Sequence, residues 1–304
     1  MNQLEKRQEK ITDMIQPAYI DGLDNDDYHS KTDYLSNSIL KMFSFDPNSV
    51  KWIKDAYQDN TSMEAITFGE AFHVYFLQPE LFKKKYKILP VLNLRTNQGK
   101  KDKLLFDEEC KKNNLIPISN GDMEKMQVMK QSAMSYPIVN EIMTMHGVIF
   151  ERSYFWKDQA GLLCKCRPDA FVKITDVNRP SFLKDRKNIK NLIVDLKTIA
   201  QIGRIASQIA ELKYHWQDYF YSRGLKLIEH GETAFIFVFV STSFSLGRYP
   251  VHAVELDPVA KLVASNEVEE AMREYRQNIK SSSNGIIRMS LPNWAIDNDE
   301  IGVY

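Results

Sequence analysis

The spacing of apolar residues changes along the chain near Val148. Before this residue the apolar side chains follow helical spacing, and after it they alternate with polar ones, which is typical of strands. After a frayed helix and a loop within residues 1–35, a helix capped by Ser36 is expected, with a break near Pro47. The helices predicted in this part of the chain cover residues 36–52, 65–77 and 122–134.

Short alternating segments that are separated by turn residues predict a sheet between about residues 149 and 256. The first two strands form a predicted β-hairpin, because a turn containing glycine joins them. The last two are expected to pair antiparallel. The predicted strands cover residues 149–157, 162–166, 167–174, 235–242 and 249–256. An amphipathic helix is predicted from about 203 to 228, and a charged helix from 258 to 280.

The strand expected at the centre of the sheet is Leu192-Ile193-Val194-Asp195-Leu196-Lys197-Thr198. Its apolar, partly β-branched start is typical of a buried strand. Side chains alternate along a strand, so Asp195 and Lys197 are predicted to point to the same face. A salt bridge at the strand end would explain this pair. Two charges in an apolar strand also indicate a ligand, because burial of unpaired charge is costly.

Composition places the chain among ordinary globular proteins, with 304 residues, 43% hydrophobic and 26% charged residues. The formal net charge is zero, so any basic surface must be local. We expect an α/β fold in which helices flank a central mixed sheet and a helical region is added before it. The predicted organisation is a flexible segment at 1–35, a single domain at 36–295 with a helical part (36–145) and a sheet-containing core (148–280), and a tail at 296–304.

Other sequence features narrow the class of protein. The cysteines are Cys110, Cys164 and Cys166, and the absence of a CxxC motif argues against four-cysteine zinc or iron–sulfur sites. The charged start of the chain lacks the apolar core of a signal peptide. The longest apolar run, 234–240, is too short to cross a bilayer. A cytoplasmic protein without membrane contact is therefore expected.

Four polar features follow one another along the chain: His73, Asp169, the Asp195-x-Lys197 pair and Gln217-x-x-x-Tyr221. Two carboxylates at one point repel each other, and a divalent cation removes that repulsion. Carboxylate oxygens suit Mg²⁺, and an imidazole nitrogen also suits Mn²⁺. Gln217 and Tyr221 are one helical turn apart and would project from one face.

Glu70 lies one turn before His73 on the predicted helix. It is expected either to orient His73 from behind the metal or to be exposed. A carboxylate-bridged di-iron site is a third possibility for this pair, but it requires a second Glu-x-x-His, which the sequence lacks.

Together these motifs resemble the PD-(D/E)xK nuclease superfamily. The resemblance is greatest to the branch of RecB-type nuclease domains and phage recombination exonucleases, and within it to RecE-type nuclease domains. It covers roughly residues 28–295. The segments that carry it are Phe68-Gly69-x-x-x-His73, Arg167-Pro168-Asp169, Asp195-Leu196-Lys197-Thr198 and Tyr214-His215-x-Gln217-x-x-x-Tyr221.

The resemblance implies a role for each matching residue. His73, Asp169, Asp195 and the backbone carbonyl of Leu196 would be metal ligands, for Mg²⁺ or Mn²⁺. Lys197 would be the catalytic lysine. The remaining pair, Gln217 and Tyr221, would face the DNA backbone or brace the site.

The same resemblance implies a metal-dependent exonuclease that degrades linear duplex DNA from its ends, 5′ to 3′, in phage or prophage recombination within a bacterial host. It also implies a ring-shaped homo-oligomer and an annealing protein as partner. The alternative is a catalytically inert protein that binds DNA ends or acts as a scaffold on a nuclease fold.

Two basic segments are candidates for contact with DNA. Residues 83–112 hold ten Lys or Arg against four Asp or Glu. The loop before the central strand is favoured, because in sequence it adjoins both aspartates. Its basic residues are Arg179, Lys184, Arg186, Lys187 and Lys190.

Overall fold

The computed structural model describes residues 17–48, 50 and 68–280. Parts of the predicted 36–52 and 65–77 helices, residues 1–16 and the tail beyond 280 lie outside the described residues. The helices are α1 (Asn25–Ser30), α2 (Asn37–Phe45), α3 (Phe68–Leu77), α4 (Pro79–Lys85), α5 (Asn97–Lys112), α6 (Asn120–Met134), α7 (Pro137–Met143), α8 (Ile205–Glu211), α9 (Tyr214–Ile228) and α10 (Pro258–Lys280). The strands are β1 (Ala18–Ile20), β2 (Tyr86–Ile88), β3 (Ile116–Ile118), β4 (Ile149–Phe150), β5 (Ser153–Lys157), β6 (Leu163–Cys166), β7 (Ala170–Lys173), β8 (Ile189–Ile199), β9 (Glu232–Ser241) and β10 (Val251–Val254).

A five-stranded mixed sheet forms the centre of the fold, in the order β10-β9-β8-β7-β4. Strands β8 and β9 are parallel, and the other neighbours are antiparallel. The strand that carries Asp195 is the middle one, as its apolar sequence predicts. The expected α/β fold, with helices on both faces of a mixed sheet, is confirmed.

The two faces of this sheet bury different helices because the side chains of β8 alternate. Leu192, Val194 and Leu196 face a core that includes α3, α6 and α7. Ile193 faces a second core that includes α9 and α10. The face of Ile193 is also that of Asp195 and Lys197, which contact Gln217 and Tyr214 of α9.

The segment predicted as one strand at 149–157 is two strands. Strand β4 pairs with β7 in the central sheet, whereas β5 pairs with β1 and β6 in a separate three-stranded sheet. The break falls at Glu151, whose φ of 54° lies in the left-handed region. This region is costly for a residue with a side chain, and the chain passes from one sheet to the other here.

Residues 17–35 were expected to be a flexible segment, but they pack on the three-stranded sheet. Strand β1 pairs with β5, and Asp21 accepts two hydrogen bonds from Arg152 at 2.6 and 2.9 Å. The buried amine of Lys165 donates to the carbonyls of Tyr28 and Lys31 at 2.6 and 2.9 Å. These long-range contacts, which local sequence does not encode, fix the segment.

The helix predicted at 203–228 is also interrupted. Helix α8 ends at Glu211, and α9 begins at Tyr214 after Lys213, which has a φ of 51°. No described helix is long and apolar enough to cross a membrane.

Gly224 is required where α9 packs on β5. A Cβ at this position would lie 2.6 Å from the ring of Trp156, which is itself buried. We expect Gly224→Ala to lower the free energy of unfolding by about 1–2 kcal/mol, because steric strain exceeds the gain in helix propensity. Urea unfolding measures this change. Gly121→Ala is the control, since no atom lies within 4 Å of the position that a Cβ would take there, and it should not lower stability.

Candidate active site

Asp169 and Asp195 meet where β7 begins beside the middle of β8. The strands pair antiparallel with Ala170 opposite Val194. Asp169 precedes Ala170 and Asp195 follows Val194, so the two aspartates lie opposite each other on neighbouring strands. Asp169 Oδ2 accepts a hydrogen bond of 2.6 Å from the backbone N–H of Leu196. This bond fixes the Asp169 carboxylate against the strand that carries Asp195.

Helix α3 brings His73 to the same point. The buried side chains of Phe72 and Phe76 pack this helix over the central sheet. His73 lies beside these residues, and its Nε2 is 2.7 Å from Asp169 Oδ2. The structure therefore joins two of the expected metal ligands, which are 96 residues apart in the chain.

A third group at this point, Glu151, was not identified in the sequence. Its Oε1 lies 3.8 Å from His73 Nδ1, and its backbone N–H donates to the carbonyl of Asp169 at 3.1 Å. One ligand atom from each of His73, Glu151 and Asp169 lies within 4.8 Å of the others. The available signal was a charged residue in a segment that otherwise reads as a strand.

Glu70, considered above as a partner of His73, lies on α3 with its side chain exposed. The carboxylate that faces Nδ1 of His73 is that of Glu151. An orienting role of Glu70 towards His73 stays a prediction.

Asp195 lies opposite Asp169 on the neighbouring strand, and it also contacts Lys197 and α9. It is 1% exposed, and its Oδ1 forms an ion pair with the Lys197 amine. Its Oδ2 accepts a hydrogen bond from Gln217 Nε2. Gln217 thus holds the Asp195 carboxylate in one orientation.

Tyr214 and Tyr221 of α9 differ in their contacts. The Lys197 amine lies 5.0 Å from the centre of the Tyr214 ring, at a distance that allows a cation–π contact. The Tyr221 ring packs at 6.2 Å from that of Phe235. Burial, followed by the proximity of Tyr28, raises the pKa of Tyr221. Its hydroxyl therefore stays protonated and can donate a hydrogen bond.

His73 and Asp169 shift each other's pKa values in opposite directions. Burial alone would lower the pKa of His73, but the charge and hydrogen bond of Asp169 outweigh it and raise this pKa to about 9. Burial would raise the pKa of Asp169, but the charge of His73 and its hydrogen bond lower it. The pair therefore favours imidazolium and carboxylate.

The other two carboxyl groups behave differently. Burial, and then the charge of Asp169, raise the pKa of Glu151 to about 7. Burial also raises the pKa of Asp195 to about 6, against the opposing charge of Lys197. Three carboxyl groups, of which Asp169 and Asp195 are buried, thus share the compensating charge of Lys197, His73 and Arg167. A divalent cation at this point would add to that compensation, so the donor set fits Mg²⁺ or Mn²⁺.

The basic loop between β7 and β8 does not lie beside this site, contrary to expectation. It joins Lys173 to Ile189 at the opposite end of both strands, and Asp195 lies five residues along β8 from Lys190. At about 3.3 Å per residue this is about 16 Å. Adjacency in sequence was misleading because β8 itself separates the loop from the aspartates.

Of the five basic residues expected in this loop, Lys190 lies in β8, and two of the other four are bound within the protein. Arg179 donates to the carbonyls of Arg186 and Ile189 at 3.0 and 3.3 Å. Arg186 forms two hydrogen bonds with Glu255 at 2.6 and 2.9 Å. Lys184, Lys187 and Lys190 are exposed.

Part of the positive charge in residues 83–112 is also neutralised. Lysines of this segment form ion pairs with nearby acids, namely Lys83 with Glu80, Lys87 with Glu109 and Lys103 with Asp107.

A mixed sheet whose central strand carries Asp-x-Lys, next to an aspartate at the start of the adjacent strand, defines a fold of the PD-(D/E)xK nuclease class. The chain belongs to the family described as PDDEXK-like domain of unknown function (DUF3799), whose profile matches residues 36–285. This match confirms the superfamily. The resemblance to RecE-type domains stays a prediction.

Comparison of structures agrees with this assignment. The fold resembles the crystal structure of a protein from Eubacterium rectale that is described as a "putative exonuclease", with a TM-score of 0.54 and 13% sequence identity. The similarity covers 89% of this chain and 96% of the other. No curated protein matches the chain in sequence.

Proposed function

We propose that the protein hydrolyses phosphodiester bonds of DNA in a reaction that depends on a divalent metal ion. The observation that carries this proposal is the meeting of His73, Glu151 and Asp169 beside the Asp195–Lys197 pair. A purely structural salt bridge would need one carboxylate for the lysine. The further carboxylates and the imidazole have the chemistry of a metal site.

The residues that would hold the ion are His73, Glu151, Asp169, Asp195 and the carbonyl of Leu196. Mg²⁺ or Mn²⁺ at such a site lowers the pKa of water and offsets the charge of a phosphate. Without the ion, Asp169 stabilises the protonated imidazole of His73. Binding of the ion to His73 must therefore displace this proton.

Other side chains would act on the substrate or on the ligands. Lys197 remains protonated, because Asp195 and Asp169 raise its pKa against the effect of burial. Its ammonium would stabilise negative charge that develops on the phosphoryl oxygens. Gln217 would keep the Asp195 carboxylate oriented, and the Tyr221 hydroxyl would brace the site or contact the DNA backbone.

Glu151→Gln provides a direct test of the metal ligands. We expect the dissociation constant for Mn²⁺, measured by calorimetry, to rise at least about tenfold, because the amide is a poorer ligand without charge. Glu70→Gln on the neighbouring helix is the matched comparison and should bind Mn²⁺ as the wild type does. Equal affinities in all three proteins would contradict the assignment of Glu151.

The finer activity that we propose is exonucleolytic. It rests on the resemblance to phage recombination exonucleases, and the exonuclease description of the structural relative supports it. The protein would degrade linear duplex DNA from its ends, 5′ to 3′, in homologous recombination of a phage or prophage. The same resemblance supports a ring-shaped homo-oligomer and an annealing protein as its partner.

Duplexes labelled at one end separate these possibilities. A 5′→3′ exonuclease should release a 5′ label at once and a 3′ label late, and should leave a covalently closed circle intact. Cleavage of the circle would indicate an endonuclease. Binding without cleavage, at saturating Mg²⁺ or Mn²⁺, would favour the inert DNA-binding alternative.

A further inference from the structure

Two lysines outside the sequence motifs lie next to Tyr214, whose ring the active-site lysine also contacts. The Lys41 amine of α2 is 5.6 Å from the centre of the Tyr214 ring, and the Lys197 amine is 5.0 Å from the same point. The two amines are therefore no further apart than these two distances combined. Lys213 directly precedes Tyr214 and lies at the start of α9.

Both of these lysines are held in place by the protein. Lys41 Nζ donates to the carbonyl of Leu212 at 3.0 Å, and Lys213 Nζ donates to Ser44 Oγ at 3.0 Å. The Lys213 amine also lies 3.8 Å from the centre of the Trp216 ring. Fixed amines lose less conformational entropy when they bind an anion than mobile surface lysines do.

The backbone supports the same interpretation. Lys213 adopts a φ of 51°, which is unfavourable for a lysine, and no side chain caps the start of α9. The strained residue bends the chain between α8 and α9, and it brings its own amine beside α2. Strain of this kind is found where the position of a side chain matters.

Positive charge accumulates at this junction. Among residues 17–48, 50 and 68–280, no salt bridge joins a carboxylate to Lys41 or Lys213, and the acidic group whose charge acts on Lys213 is Glu267. Burial lowers the pKa of Lys41, and the nearby charge of Lys197 lowers it further; the charge of Asp195 opposes this effect, and that of Lys213 adds to it. An anion placed between these amines would relieve their mutual repulsion.

We propose that Lys41 and Lys213 bind a phosphate group of the cleaved strand, next to the phosphate that is hydrolysed. This inference rests on the proposed nuclease function. Phosphates of one strand follow one another about every 3.4 Å along the duplex axis, so a phosphate within a few nucleotides of the scissile bond can reach these amines. The group recognised is a terminal monoester or an internal diester.

The test is duplex binding over a range of salt concentrations, in Ca²⁺ to suppress cleavage. In Lys41→Gln/Lys213→Asn, the slope of log affinity against log salt should fall by about two units, because two phosphate contacts are lost. Asparagine tolerates the left-handed conformation at 213. Lys226→Gln on α9, an exposed lysine paired with Glu232, should leave the slope unchanged. Lys41→Arg should also keep it.

Two forms of the DNA end identify the phosphate. If the wild type prefers a 5′-phosphate over a 5′-hydroxyl and the double variant does not, the bound group is the terminal monoester. A reduced slope without such a preference indicates an internal diester. A double variant that is folded, as circular dichroism reports, and keeps the wild-type slope would overturn the inference. Wild-type protein that does not bind duplex DNA would overturn it too.

The outcome is separate from that of the proposed function, because binding is measured without cleavage. A wild type that cleaves DNA while the double variant keeps its slope contradicts only the phosphate site. A wild type that never cleaves, with a slope that falls in the variant, contradicts only the hydrolytic function. If the double variant does not fold, each single variant should reduce the slope by about one unit.

Discussion

Replacing Asp195 by asparagine is expected to lower the rate of DNA cleavage by about 10³-fold or more, while the protein remains folded. The carboxylate lies between the Lys197 amine and the Gln217 amide, and beside Asp169. Asparagine keeps its shape and can accept the hydrogen bond of Gln217, but it loses the charge that a metal ligand needs. Steady-state cleavage of linear duplex at saturating Mg²⁺ measures the loss.

A matched control is available at the other end of the same strand pair. Asp176 lies in the loop between β7 and β8, and its side chain is 89% exposed. Asp176→Asn should cleave DNA at the wild-type rate. If Asp195→Asn also cleaves at that rate, Asp195 does not bind the metal ion.

Lys197→Met is expected to lower kcat by about 10²–10³-fold and to leave the affinities for Mn²⁺ and DNA close to those of the wild type. Methionine fills a similar volume beside the Tyr214 ring, but it carries no charge. The amine is proposed to stabilise the negative charge that develops on the phosphate in the transition state. Removing the amine should therefore lower the rate of cleavage more than the affinity for DNA.

The opposite result would support a structural salt bridge. Removing one partner of a buried ion pair costs about 3–5 kcal/mol when the other is left uncompensated. Lys197→Met would then unfold at much lower urea concentration and lose metal binding, with kcat falling only as folded protein is lost. Lys226→Met, on the surface of α9, controls for a general effect of removing a lysine.

The sequence predicted those features of the fold that depend on local alternation. The apolar run of 192–194 identified the central strand, and the two-residue spacing put Asp195 and Lys197 on one face, where both contact α9. The helices that carry His73 and Gln217 were predicted in the same way, from the local spacing of apolar residues. Each of these predictions depends only on residues that are close together in the sequence.

Features that depend on tertiary pairing were not predicted. Glu151 lies between strands of two different sheets, and nothing in 149–157 shows that the pairing partner changes there. The basic loop was expected near the aspartates because it is close to both of them in sequence. The sequence does not show that β8 is 11 residues long and places Asp195 far from the loop. Lys41 reaches the site only because α2 packs on α9 and α10.

The central claim is that these carboxylates hold a divalent ion that is needed to hydrolyse DNA. Its most direct test is the release of acid-soluble nucleotides from uniformly labelled linear duplex, measured over a range of Mg²⁺ and Mn²⁺ concentrations. We predict saturable release with the wild-type protein that is lost in EDTA, and no release with Asp169→Asn at any concentration. Release that persists in EDTA, or an equal rate for Asp169→Asn, would contradict the claim.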